Sequence, residues 1–385
     1  MSREIIAHNL KRLRAAAELS QSALAELADL SLSGYQKLER GKADARPETI
    51  KAISKALKVA IPDLLAEVKS LKEIRFRSLK RLKTRDQVIA DVVTWLADFD
   101  FLETVTEQKQ EHQVAELWDA YQEYGSERIP EFANHCRRVF GLGDKDPVHD
   151  ICGLLEARGI KLKSSIVATD AFMGLSVSSN EQGGPAIIVN TWSRMPVETW
   201  IFSAAHELGH MLMHLGSYDI QALDEDENQE SEADRFASHF LMPQESFDRE
   251  WEETAGLPLV DRVFKVKRVF KVSWRTVLYR YAESLPQAQR NKVWMNFNFA
   301  HKQRTGSALL KHDEPNGVSE EVYKVGFQRS AGSEPYPLDR YDFQEDRLPK
   351  LVREAVESGL ISLSRGAEIL RLSYKDMRTL SANWI

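Results

Sequence analysis

Two histidines four residues apart, with a glutamate beside the first, stand in the run Ser203-Ala-Ala-His206-Glu207-Leu-Gly-His210-Met-Leu-Met-His214. On a helix, positions i and i+4 share a face, so His206 and His210 can reach one metal ion from the same side. Glu207 falls beside them, where its carboxylate can take a proton from a metal-bound water. A surface pair of histidines would not sit among Ile201, Phe202, Ala205, Leu208, Met211 and Leu212, because buried imidazoles need partners. The chemistry this spacing suits is hydrolysis at Zn2+, an ion that keeps three protein ligands and one open position in catalytic sites.

One ligand is still to be found. His214 lies one further turn along, but position 213 is Met, so the three-histidine spacing HExxHxxGxxH is absent. A second carboxylate-rich run, Glu230-Ser-Glu232-Ala233-Asp234-Arg-Phe236-Ala237-Ser-His239-Phe240-Leu241-Met242-Pro243, is the better source. On a helical wheel its apolar stripe of Ala233, Phe236, Ala237, Phe240 and Leu241 centres close to Ala233. Glu230 falls roughly 60° from that centre and Asp234 roughly 100° on the same side, while Glu232 falls roughly 100° away on the other. Glu230 is therefore the predicted third ligand, with Glu232 in reserve. Asp234 is placed to hydrogen-bond a ligand imidazole from behind. His239 is a candidate for steadying an oxyanion, against an ordinary place on the helix surface.

These groups need two helices to carry them, read at 197–215 and 230–241 with an acidic loop between. Upstream, 148–159 reads as a helix closed by Gly159. β-like pieces follow at 160–163, 172–177 and 186–189, the last after the Gly183-Gly184-Pro185 turn. Residues 258–285 read as helical, and the core packing of Val272, Trp274, Val277 and Leu278 outweighs a nucleic-acid contact by the basic run at 265–281. Residues 286–345, with Pro286, Pro315, Pro335 and Pro337, read as irregular, and 348–380 as short helices around a capped turn. That last segment could dock a substrate, dimerise or bind a ligand. No internal repeat or low-complexity tract is read.

At the other end, 4–66 reads as short helices with tight turns. Ser20 and Ser31 can cap helices, Gly41 can end one, and Pro47 can open another. The arrangement resembles the Cro and lambda-repressor (XRE) type of helix-turn-helix. That resemblance makes 31–40 a recognition helix for double-stranded DNA, with Leu32, Ser33, Gln36 and Lys37 toward base edges. Gln21, Arg40 and Lys42 would then meet phosphates. Asp29 stands where that family usually has a turn glycine, and Gly34 costs the helix about 1 kcal/mol. A basic amphipathic stretch at 68–85 and an apolar stripe through Val92, Val93, Trp95, Leu96 and Phe99 form a helical connector, and 107–142 is helical too.

Composition agrees with this division. The chain has 385 residues, too many for one ordinary core. Residues 1–85 hold 19 Lys/Arg against 10 Asp/Glu, and the rest 33 against 48, so only the first part suits a polyanion. No run is long and apolar enough for a bilayer, and the N-terminus lacks the apolar core of a secretory signal. A cytoplasmic protein is expected. Cys136 and Cys152 fit reduced thiols. A second metal site from His135, Cys136, His149 and Cys152 is disfavoured, because adjacent side chains diverge.

His-Glu-Leu-Gly-His followed by Glu-x-Glu-Ala-Asp-x-Phe-Ala-x-x-x-Leu-Met-Pro resembles the ImmA/IrrE family of metallopeptidases. Asp146-Pro-Val-His-Asp150, Gly159-Ile-Lys, Phe172-Met-Gly174 and Pro185-Ala-Ile-Ile-Val-Asn190 extend the likeness over about 146–285. Members fused to an N-terminal helix-turn-helix are familiar, and Ile74-Arg-Phe-Arg77 through Leu102-Glu103 resembles their connector. The expected architecture is mainly α with a small β-sheet. It comprises an all-α helix-turn-helix domain at 1–66, a helical connector at 67–145, an α+β zincin-like metallopeptidase domain at 146–285 and a helical C-terminal region at 286–385. The resemblance implies limited proteolysis of a regulatory protein, such as a repressor or a toxin or antitoxin partner, with Glu207 as general base. A repressor or antitoxin whose zinc domain senses without cutting is the alternative, and a purely structural zinc the weaker third. A homodimer is expected from the symmetry of such operators, and no membrane partner.

Overall fold

The computed structural model describes residues 3–17, 19–59, 61–65, 71, 73–76, 85–218, 226–310, 313–314 and 338–384. The chain divides into two compact units, Met1–Lys72 with Arg81–Phe99, and Glu73–Lys80 with Asp100–Ile385.

The first unit begins with five helices, α1 (Arg3–Ala16), α2 (Gln21–Leu27), α3 (Leu32–Glu39), α4 (Pro47–Leu57) and α5 (Ile61–Leu65). Ser20 accepts a hydrogen bond from Ala23 N and Ser31 from Gly34 N, each at 3.1 Å, so two serines fix where α2 and α3 start. Between them Asp29 takes the left-handed conformation, φ 54°, in place of a glycine, as a short polar side chain tolerates. Leu10, Leu24, Tyr35 and Ile53 fill the core. Glu39 ties the motif together by accepting from Arg14 at 2.7 and 2.9 Å and from Gln21 at 3.0 Å.

Among the described residues the connector region is mostly helical, but the expectation of an all-helical connector is corrected at one place. Ile74–Phe76 is a strand, β1, and belongs to the sheet of the second unit. Of the basic stretch expected at 68–85, only Leu71, residues 73–76 and Arg85 lie within the described residues. Helix α6 (Arg85–Val105) follows, its Val88, Val92, Trp95, Leu96 and Phe99 buried in the first unit.

In the second unit come α7 (Val114–Tyr124), α8 (Ile129–Val139), α9 (Ile151–Glu156), β2 (Lys161–Ser165), β3 (Gly174–Val177), β4 (Ala186–Asn190), α10 (Val197–Met213) and α11 (Glu227–Leu241). The sheet order is β1-β3-β4-β2. β2 pairs parallel with β4, and β3 pairs antiparallel with both β4 and β1, which sets Arg75 opposite Ser176. β4 is buried along its whole length, and its first four residues, 186–189, form an apolar run. Helix α10 packs against β3, β4 and α11, and α8 packs on α11. Cys136 and Cys152 are core thiols. Residues 219–225 of the expected acidic loop lie outside the described set.

Then follow α12 (Gln244–Glu253), α13 (Leu259–Phe270), α14 (Trp274–Glu283) and α15 (Gln287–Thr305). Val272, Trp274, Val277 and Leu278 are core residues, as expected. The irregular reading of 286–345 is corrected by α15, a 19-residue helix that starts after Pro286. Its buried residues are only Val293, Phe297 and His301, at i, i+4 and i+8. That stripe is too narrow to stand out in the sequence. Residues 311–312 and 315–337, with three of the four prolines, lie outside the described set. Three short helices end the chain, α16 (Arg347–Glu357), α17 (Leu363–Ile369) and α18 (Tyr374–Ser381). Among the described residues no helix is long and apolar enough to cross a membrane.

Candidate metal centre

Helix α10 is buried along almost its entire length, so its histidines turn into protein on every side. Gly209 stands between them. A Cβ there would come within 3.0 Å of Phe236 Cδ1 and 3.4 Å of Ala233 Cα, so the missing side chain is what lets α11 approach. With the helices this close, a carboxylate one turn before Ala233 lands at the imidazoles. His206 Nε2 is 3.3 Å from Glu230 Oε2, and His210 Nε2 is 3.1 Å from Glu230 Oε1. A tetrahedral ion with bonds near 2.0–2.1 Å holds its ligand atoms about 3.3 Å apart. The group therefore fits a divalent metal, and among the described residues it is the cluster of this kind that closes.

Both rings are fixed from behind. His206 Nδ1 lies 2.7 Å from Asp234 Oδ1, the place Asp234 was expected to take. His210 Nδ1 lies 2.9 Å from His214 Nδ1, and His214 Nε2 lies 2.8 Å from Glu232 Oε2. Tyr121 OH donates to the same Glu232 oxygen. If Nε2 of His210 binds a metal, its Nδ1–H donates to His214, whose Nε2–H donates to Glu232. Glu232, the reserve ligand, is thus brought to His214 and not to the His206–His210 pair. Burial lowers the pKa of His210 and His214, which favours the neutral rings, the form in which His210 would bind a metal. Burial would raise Glu230, but the facing His206 and His210 imidazoles outweigh it and hold the carboxylate ionised.

Glu207 is buried under the sheet, and its Oε2 accepts from Ser176 Oγ at 2.8 Å. Tyr218 OH donates to that Ser176 oxygen at 2.8 Å. A Cβ on Gly174 would lie 3.2 Å from both Glu207 Cγ and Oε1, so β3 is shaped to the Glu207 side chain. On β1, Arg75 donates to Gln229 Oε1 at 2.5 Å and to Glu230 Oε1 at 3.3 Å. Sequence reasoning did not single out Ser176, Tyr218 or Arg75. The legible signal for Arg75 was a basic residue set between apolar Ile74 and Phe76. His239 is not brought to the cluster, since its Nε2 lies 2.9 Å from Arg280 Nη1 and 3.2 Å from Glu283 Oε2.

On the other unit, Leu32, Ser33, Lys37, Arg40 and Lys42 are exposed and Gln36 and Gln21 are half-buried. Gln36 Nε2 donates to Gln21 Oε1 at 3.2 Å, joining the start of α2 to the middle of α3.

Two family models match the chain. Residues 162–281 match the IrrE N-terminal-like domain, an M78 peptidase family, and residues 10–64 match the helix-turn-helix family. No curated protein matches it.

Proposed function

From a chain that joins a helix-turn-helix to an M78-type peptidase domain, we propose a DNA-binding regulator whose zinc endopeptidase cleaves a regulatory protein partner. The observation that carries this is the approach of two imidazole Nε2 atoms to one carboxylate, with a buried glutamate on the next residue. His206, His210 and Glu230 would hold the metal. When bound, it supplies a Lewis acid for the scissile carbonyl and an acidified water.

The chain's own groups do the rest. Glu207 takes the water proton and passes it to the leaving amine. Ser176 keeps Glu207 turned toward the reacting water, and Tyr218 keeps Ser176 in place. Asp234 and the His214–Glu232 pair hold the ligand rings at their angles. In the first unit, α3 enters the major groove with Leu32, Ser33, Gln36 and Lys37 at base edges, while Gln21, Arg40 and Lys42 neutralise phosphate. The partner would be a repressor or a toxin or antitoxin component, and the regulator would act as a homodimer.

Glu207→Gln tests the reading, since it keeps the shape and removes the base. Cells carrying either form are compared for new protein N-termini by mass spectrometry, with bound zinc and duplex-DNA binding measured on the purified chains. The expected result is loss of the new termini and of the transcriptional response, with zinc and DNA binding retained. An unchanged response from Glu207→Gln contradicts proteolysis and leaves a sensing domain.

A further inference from the structure

The last three helices repeat the geometry of the first. α17 and α18 have 7 and 8 residues, as α2 and α3 do. Every landmark recurs 342 positions later. Ser362 accepts from Arg365 N and Ser373 from Asp376 N, both at 3.1 Å, as Ser20 and Ser31 do from Ala23 and Gly34. Between the helices Arg371 takes φ 55° where Asp29 takes φ 54°. The turn bonds coincide as well. Leu372 N donates to Ala367 O and Arg371 N to Glu368 O, matching Leu30 N to Ala25 O and Asp29 N to Glu26 O.

The buried side of the motif also corresponds. Met377 and Tyr35 are both fully buried at the fourth position of the second helix. Ala367 and Ala25 are both buried at the crossing, and helix α16 supplies Leu351, Val352 and Ala355 beneath. Gly366 replaces Leu24, and a Cβ there would already meet Val352 Cγ1 at 3.1 Å and Met377 Cε at 3.0 Å. Between 20–40 and 362–382 the sequences share only 7 residues, among them Ser20/Ser362, Ala25/Ala367, Glu26/Glu368 and Ser31/Ser373. These are the cap and crossing positions, so the repeat absent from the sequence reading is present in the fold.

We propose that α16–α18 form a second helix-turn-helix that binds double-stranded DNA, with α18 as its recognition helix. Apart from Met377 and the partly covered Ser381, α18 is exposed throughout. Lys375 and Arg378 occupy the positions of Ser33 and Gln36, and Tyr374 that of Leu32, both of the latter being exposed apolar groups at the start of the helix. Residues 347–384 carry 7 Lys/Arg against 4 Asp/Glu, a basic island within the acidic 86–385. Shape and charge together point to a duplex.

The test is binding of the full-length chain to a randomised 40-base-pair duplex pool, by fluorescence anisotropy over a range of KCl. Three variants accompany the wild type: Lys375→Glu/Arg378→Glu, Gln36→Ala/Lys37→Glu, and the two combined. The expected result is binding weakened about 10-fold or more by the C-terminal pair, with the log–log salt slope reduced by about 2. The combined variant should lose the binding that the N-terminal pair leaves. Circular dichroism checks the fold, and Lys375→Gln/Arg378→Gln repeats the test without reversed charge. Affinity and salt slope equal to wild type in both C-terminal variants overturn the proposal. So does unchanged DNA binding with loss of self-association in sedimentation, which would make α18 a protein-docking face. Glu207 takes no part in this measurement, so its outcome is independent of the peptidase reading.

Discussion

Asp234 holds His206 Nδ1 at 2.7 Å, and so decides which nitrogen of that ring faces inward. An imidazole with its outer nitrogen held is a better and more rigid donor. Asp234→Ala is therefore expected to weaken zinc binding by about 10–100-fold, read by competition with a chromogenic chelator. Affinity equal to wild type would show that the ring is positioned by packing alone. His206, Glu207 and His210 were legible because a helix brings them together within five residues. Glu230 and Asp234 were legible because the apolar stripe through Ala233 showed which side of α11 turns inward. Ser176, Tyr218 and Arg75 were not. Each reaches the centre through tertiary packing or strand pairing, and β1 and β3 are only three and four residues long, too short for alternation to be read.

Elements are joined by buried ionic groups whose effect depends on pH. Glu156, at the end of α9, accepts from Asp346 N and Arg347 N at 3.0 Å each, and so caps α16. Burial pushes its carboxyl up to about 7, against the pull of those two N–H groups. An acid whose folded pKa is raised binds its proton more tightly when folded. Its ionisation therefore costs stability progressively as pH rises from about 4.5 to about 7. Glu156→Gln keeps an acceptor for both N–H groups and removes the charge. It is expected to raise stability at pH 8 by on the order of 2–3 kcal/mol and to leave it little changed at pH 4, by urea denaturation. A variant equally stabilised at both pH values would locate the effect outside the carboxyl. At this scale the sequence showed α2, α3, α10 and α11 through caps and periodicity. It hid α15, whose packed stripe has three members; the short helices around a capped turn at 348–380 were read, but not their likeness to the first pair, which is mainly in φ and hydrogen bonds.

For the whole molecule, the division into two units is a matter of how the chain travels. Among the described residues, those up to Leu71 belong to the first unit, Ile74–Phe76 give β1 to the sheet of the second, and Arg85–Phe99 belong to the first again. A boundary read from composition could not show that excursion, because its content is one three-residue pairing with β3. Charge asymmetry and helix caps located the helix-turn-helix end, and the spacing of two histidines and a glutamate pointed to the M78-type domain. The most direct measurement is zinc content per chain by mass spectrometry in three purified proteins: wild type, Glu230→Ala and Glu232→Ala. One zinc is expected in the wild type and in Glu232→Ala, and a loss in Glu230→Ala. Zinc retained without Glu230, or lost with Glu232, would contradict a centre made by His206, His210 and Glu230.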